Sequence, residues 1–280
     1  MSNQGYLTNH TFIFIQTTKI KIVRISKTRM LTVIPLIVFI CCSDKTDNIQ
    51  YISDLQQQNL RGKVAKVETH EFVIGTIKND STLIRKTIEY FDKKGFTTKD
   101  ISTSYPDNDT IENVLTFNSN GSMNSLTTVT NGQVESIMLL TYNKNGNCII
   151  IKTMDSMGRL LYFDSLITQN IYGEIVRLNR YSSLNRLLYS FQNSYDSIYR
   201  IQGIARDSNN QIINVVNMSL NELNDYDTIE EITISGKIRD NKTTTYQYMS
   251  TDKFYNWTEM ISYTSLGNVQ NVTRRNIQYY

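Results

Sequence analysis

The sequence predicts an all-β protein, a long antiparallel meander of about sixteen short strands. Three observations predict it. An aromatic or apolar residue, then Asp or Asn, two spacers and Gly recurs at Tyr90–Gly95, Phe117–Gly121, Tyr142–Gly146 and Met154–Gly158. Between these turns apolar residues alternate with polar ones. Tyr, Ile, Thr and Val, which suit a half-buried pleated surface, dominate the alternating runs. With 40% hydrophobic and 10% aromatic residues, the chain has the material for an ordered fold.

Residues 1–42 are organised as a lipoprotein signal peptide. Lys19, Lys21, Arg24, Lys27 and Arg29 come first, with no acid before residue 43. An apolar run of about eleven residues, Met30 to Ile40, follows and ends at Cys41-Cys42. That length suits a signal h-region and falls well short of the ~20 residues a spanning helix needs. The run, its cysteines and Ser43-Asp44-Lys45 resemble a bacterial lipobox, in which the first residue after cleavage is an acylated cysteine. A small residue precedes Cys42, whereas bulky Ile40 precedes Cys41. Cys42 is therefore the expected lipidation site, with Cys41 as the alternative. The resemblance implies export from a Gram-negative cell and a lipid anchor in the outer membrane or at the cell surface.

The leader also carries the basic excess. The whole chain is +3, but residues after 42 hold 24 basic against 26 acidic side chains, net −2. A nucleic-acid partner is therefore not expected. Only Cys148 remains in the processed chain, so no internal disulfide forms. Residues 43–59 are polar and read as a tether with one short helical turn. Residues 60–280 form the repeat domain.

Within that domain the turn chemistry is consistent. The Asp or Asn side chain accepts from backbone N–H groups two residues on, and Gly supplies the positive φ that ends the turn. Degenerate copies are expected at Tyr181–Arg186, Tyr195–Arg200 and Tyr263–Asn268. The spacing of Asp92, Asn118 and Asn143 is about 25 residues, with opposite-end turns such as Pro106–Asp109 and Asn131-Gly132 between them. One turn per twelve or thirteen residues leaves strands of about eight. In Thr245–Met249 the two tyrosines share a face, as do Ile232 and Ile234. Short connections require antiparallel neighbours. So many strands do not lie flat, so the meander is expected to curl into a barrel-like shell or fold back as a sandwich, Tyr rows on the concave side. Left open, it would carry an edge strand at each end, able to pair with another copy.

The tandem motif resembles the YD repeats of Rhs-type proteins, and more closely a set of small bacterial lipoproteins built from degenerate copies. Leu60–Val67 resembles the opening strand of that set. Tyr246-Gln247-Tyr248, Asn256-Trp257-Thr258 and Arg274–Tyr280 resemble its ending. The usual Gly before Asn-Trp is Tyr255 here, which predicts a different turn at that point. The resemblance covers about residues 60–280 and implies an all-β fold, export and no catalytic residues.

The residues themselves offer little catalytic chemistry. His70 lies in an alternating strand with no partner at an informative spacing, and reads as a surface or satisfied histidine. Cys148 opens an apolar run and reads as a buried small hydrophobe. No cofactor motif or zinc spacing occurs. Asp107–Asp109 and Asp225–Asp227 carry oxygen ligands, but both fall in predicted turns where Asp is favoured anyway, so no metal is expected. Glu230 and Glu231 point to opposite faces and cannot act as a glycosidase pair. On the face of Tyr280 lie Gln278, Asn276 and Arg274, too polar for a lipid-facing row. Ser81, Thr110, Ser156, Ser165, Ser197 and Thr228 each follow an Asp and precede an apolar residue or Thr, a pattern similar to an O-glycosylation acceptor motif; ordinary turn chemistry is the competing explanation.

The expected function is thus a lipid-anchored, non-catalytic envelope module that binds a glycan or peptide. The alternatives are a structural shell component related to Rhs or polymorphic-toxin repeats and, behind it, a hydrolase whose acids converge from different hairpins.

Overall fold

The computed structural model describes residues 53–74, 81–172, 174–196, 199–236 and 238–280. A four-residue helix, α1 (Asp54–Gln57), precedes sixteen strands. They are β1 (Val64–Ile74), β2 (Ser81–Phe91), β3 (Thr97–Ser104), β4 (Asp109–Phe117), β5 (Met123–Thr130), β6 (Gln133–Tyr142), β7 (Cys148–Asp155) and β8 (Leu160–Gln169). There follow β9 (Ile175–Ser182), β10 (Leu187–Asp196), β11 (Tyr199–Asp207), β12 (Ile212–Leu220), β13 (Tyr226–Ser235), β14 (Ile238–Thr251), β15 (Trp257–Thr264) and β16 (Val269–Tyr279). Every strand pairs antiparallel with its sequence neighbours, and β16 returns to β1 in the register Val67 opposite Ile277 and Val73 opposite Asn271. The expected meander is a closed barrel. Closure removes the two exposed edges that an open sheet would carry, since each would-be edge strand is the other's hydrogen-bonding partner.

The five-residue turn builds the barrel's rims. At Asp92 the backbone N–H donates to Phe96 O (2.9 Å) and Gly95 N–H donates to Asp92 O (3.0 Å). The Asp92 carboxylate accepts from Lys94 N (2.8 Å) and Phe96 N (3.0 Å). Asn118, Asn143, Asp155, Asn170, Ser182, Asp207, Asn221, Asp252 and Thr264 repeat the backbone bond to the residue four on. Four of these copies, starting at Asn170, Asp207, Asn221 and Asp252, lie outside the predicted set. The expected copy at Tyr195–Arg200 is corrected: Asp196 pairs directly with Tyr199, so the ladder runs too close to the tip for a five-residue turn. The turn at Tyr255 is also corrected. Tyr255 adopts φ 64° and its N–H donates to Asp252 O (3.0 Å), so the ordinary turn forms without glycine.

Because strands alternate in direction, the turns after even-numbered strands form one rim, with the chain's entry at Ser53 and its end at Tyr280. The other turns form the opposite rim. Residues 53–61 cross the first rim as a plug. Leu55 N–H donates to Gly95 O (3.0 Å), Gln57 Nε2 to Glu174 (3.3 Å), Asn59 Nδ2 to Leu223 O (2.9 Å), and Arg61 N–H to Asn256 Oδ1 (2.6 Å). The last part of the polar stretch therefore packs into the barrel's end. Its backbone and polar side chains meet carbonyl, carboxylate and amide groups of four different turns. Ser53 caps α1 in a capping box with Gln56.

The apolar core sits under this plug. Leu55, Leu60, Val64, Val67 and Phe91 are buried together, with Ile277 and Tyr279 against them. Among the described residues only eleven apolar side chains are buried. The remaining lumen is lined by half-buried polar and aromatic groups. Thr128 donates to Asn113, which donates to Asp100 (2.9 and 3.0 Å), along one lumenal row. The outer face of the closing strands is charged: Glu68 takes Lys66 (3.1 Å), Lys86 (2.8 Å) and His70 (3.2 Å). Arg274, Asn276, Gln278 and Tyr280 are exposed there, and Arg274 pairs with Glu259 (2.9 Å). No helix among the described residues is long and apolar enough to cross a membrane.

Candidate ligand cavity at the plugged end

A cavity of about 270 Å³ lies directly beneath the plug. Gln57, Gln58 and Asn59 roof it, and Tyr199, Tyr226, Tyr246, Tyr248 and Trp257 form much of its wall. Strand alternation builds that wall: Tyr246 and Tyr248 are two residues apart on β14, and Tyr248 faces Met260 of β15, which faces Thr273 of β16. The expected Tyr rows do line the concave side. The phenol of Tyr248 donates to Tyr226 O (2.7 Å), and the Trp257 ring lies 5.8 Å from that of Tyr248.

Arg275 enters the cavity from β16. Its guanidinium carbon sits 3.4 Å from the centre of the Trp257 ring, a cation–π contact strengthened by the enclosed setting. Burial pulls this guanidinium down to about 10, against the attraction of Glu89 and Asp225. The Arg275 Nε is inaccessible and has no hydrogen-bond partner. The residue as a whole is half-buried and lines the cavity.

Asn256 fastens the roof. It is 2% exposed. Its Oδ1 accepts from Arg61 N–H, and its Nδ2 donates to Arg61 O (2.9 Å) and to the Tyr279 hydroxyl (2.8 Å). Tyr279 in turn donates to the Asp252 carboxylate of the same turn. The Asn-Trp-Thr motif therefore has two jobs: Asn256 ties the plug to the last strand, and Trp257 carries Arg275. The motif was visible in the sequence, but its partner arginine was not.

Several carboxyls crowd the plug. Burial raises Asp54 to about 6, although Thr97 N–H donates to it (2.5 Å). Burial, and then Asp54, raise Glu174 to about 8, with Arg200 opposing. Asp100 rises to about 6 for the same first reason. Each is held closer to neutrality than in water.

The residues singled out from the sequence fall elsewhere. Cys41 and Cys42 lie outside the described residues, as does Ser197. Ser81 and Ser156 are exposed, and Thr110, Ser165 and Thr228 are half-exposed. Cys148 is buried and its thiol is pushed up to about 11 by that burial, the opposite of an activated nucleophile. His70 is on the outer face beside Glu68. Glu230 accepts from Asn217 and Asn241 (3.0 and 3.1 Å), whereas Glu231 accepts from Asn214 (3.0 Å). Among the described residues no group of three or more His, Cys, Asp or Glu side chains gathers as a metal site.

No family model and no curated protein sequence matches the chain. Solved structures similar to it include a porin-like protein from Bacteroides uniformis, 11% identical, with a TM-score of 0.38, covering 77% of this chain and 98% of that one. A porin-like protein from Bacteroides vulgatus is 11% identical, with a TM-score of 0.34 over 79% of this chain and 99% of that one. The Tc holotoxin pore of Photorhabdus luminescens is 13% identical, with a TM-score of 0.31 over 80% of this chain, which spans 13% of the toxin chain. At these identities and TM-scores the likenesses carry no functional argument.

Proposed function

We propose that this chain is an exported, lipid-anchored barrel of the cell envelope that binds a small glycan or peptide beneath its plug rather than transforming it. The observation that carries the reading is the cavity itself: a concave, aromatic-walled space with a few convergent polar groups, the usual form of a ligand site. The charged outer face of β1, β2 and β16 supports placement in water, since an Arg or Lys facing mid-bilayer costs about 2–4 kcal/mol. Residues 43–52 reach at most about 35 Å when extended, so an anchor on Cys42 would hold the plugged rim toward the bilayer.

The test has two parts. Metabolic labelling with an alkynyl fatty acid should mark the wild-type chain and not Cys42→Ala; label persisting in Cys42→Ala and lost in Cys41→Ala would move the anchor. A thermal-shift screen of the full chain against envelope and dietary glycans and peptides should give a reproducible hit, because a ligand well above its Kd raises the melting point. The sparsely filled, polar lumen favours a second reading, a shell fragment of a larger assembly, and silence in the screen with capture of a large envelope partner would turn the choice to it. O-glycosylation at Ser81, Thr110, Ser156, Ser165, Ser197 and Thr228 is part of the proposal; intact mass of native-host protein showing only the acyl addition would remove it.

A further inference from the structure

We infer that the ligand of this cavity is a carboxylated, hydroxylated ring, an acidic sugar of the uronic-acid class, with its carboxylate on Arg275. The inference rests on the binding reading above and narrows it.

Two lumenal arginines make the case by contrast. Arg180 lies over the Tyr162 ring (4.2 Å) and is held by Asp164 in a two-point pair, Nε to Oδ1 2.7 Å and Nη2 to Oδ2 2.9 Å. Arg275 has the same aromatic support from Trp257 and no carboxylate pair: no salt bridge or hydrogen bond to its guanidinium occurs among the described residues. Glu89 and Asp225 attract it only at longer range. An enclosed guanidinium lacking a hydrogen-bonded partner is costly, and the planar fork fits a carboxylate in two-point fashion.

The same space also offers an acceptor for hydroxyl groups. Asp225 takes Asn59 Nδ2 (3.1 Å) and lines the cavity. Its carboxylate is suited to the donors on a polyhydroxylated ring and not to a second carboxylate. The Tyr246 ring supplies an apolar face for the ring's C–H groups. A volume near 270 Å³ fits one sugar unit rather than a chain.

The experiment compares matched probes on the full chain in detergent by titration calorimetry: glucuronate and galacturonate against glucose and galactose. At least tenfold tighter binding of a uronate than of its neutral partner is expected. Arg275→Met should erase that discrimination, and Arg275→Lys, which keeps charge but not the fork, should weaken uronate binding about tenfold. Melting curves of both variants report whether the barrel is intact, and Arg275→Lys decides if Arg275→Met does not fold. Equal binding of the neutral sugars, unchanged uronate affinity in Arg275→Lys, or no binding of either uronate overturns the inference. A hit from another ligand class in the wider screen would in that event leave the binding reading standing.

Discussion

The two rims of the barrel share the five-residue turn and differ in what the turns touch. At the open rim, Gly158 and Gly267 of that turn, and Gly132 and Gly236 of shorter turns, all have positive φ, and a Cβ on any of them would meet nothing within 4 Å. At the plugged rim, a Cβ on Gly121 would lie 2.7 Å from the Phe96 ring and one on Gly95 3.0–3.1 Å from Ser53 and Leu55, while one on Gly146 would meet nothing within 4 Å. The same contrast holds one residue later in the motif. Asn256 is buried against the plug, while Asn268, its counterpart at the open rim, is exposed. Local backbone chemistry is thus common to both ends. Tertiary packing was added at one of them, where the cavity is.

The comparison is broken most directly at Asn256. Asn256→Ala removes three hydrogen bonds to Arg61 and Tyr279, a loss of about 3 kcal/mol. Asn268→Ala should stay within ~0.5 kcal/mol, as exposed positions do. Urea titration of the pair checks it. Similar losses for both would mean that the plug adds nothing to the rim it covers.

A glycine pair sharpens the same point. Gly158→Ala meets only the strain of positive φ, about 1 kcal/mol. Gly121→Ala adds overpacking against Phe96, whose ring packs at a tilt against Phe117 with centroids 5.0 Å apart, and should cost about 3 kcal/mol. Gly→Asn substitutions separate the two causes, since Asn already holds the left-handed position at Asn185, Asn210 and Asn224. Gly158→Asn should be nearly silent in thermal melts and Gly121→Asn should not.

The plug is also where stability should depend on pH. Asp54 and Glu174 have folded-state values raised to about 6 and about 8. The folded chain therefore binds more protons than the unfolded one, so their contribution is present at low pH and is lost as pH rises from about 4 to about 8. Glu68, held down to about 2 by Lys86 and Lys66, acts in the opposite sense but only below about 4.5. Between pH 5 and 8 the melting temperature should fall by several degrees, at about 2–4 °C per kcal/mol for a chain of this size. Glu174→Gln should flatten that slope. An unchanged slope would show these carboxyls to be hydrated from the lumen.

Much of this was legible in the sequence, and the missing parts share a cause. The strand count, the antiparallel order and the turn chemistry are local properties of Asp92, Asn143 and their copies, so spacing reveals them. The pairing of β1 with β16 links residues some 200 positions apart, and nothing in either strand names the other. In sequence the plug reads as a tether because Asp54, Gln57, Gln58 and Asn59 are polar; their partners are backbone and carboxylate groups on distant strands and turns. Arg275 follows Arg274 in a run that looks uniformly solvated, and only alternation against exposed Arg274 puts it inside. Trp257, the single tryptophan, was the available signal for the cavity.

The smallest expected effect tests whether the open rim is governed by turn chemistry alone. Thr264 makes the full set of backbone bonds, to Asn268 O (2.9 Å) and from Gly267 N (2.9 Å), but its hydroxyl is buried without a partner. At Asp155, on the same rim, the side chain accepts from Met157 N (3.0 Å) and Arg159 N (2.9 Å). Thr264→Asp would place a carboxylate to accept from the corresponding N–H groups of Leu266 and Asn268, a gain of about 1 kcal/mol. Because no plug overlies this turn among the described residues, the gain should leave the pH slope and the ligand titrations unchanged. A stabilisation that instead altered either would reveal coupling between the rims, and the plugged end would no longer be separable from the open one.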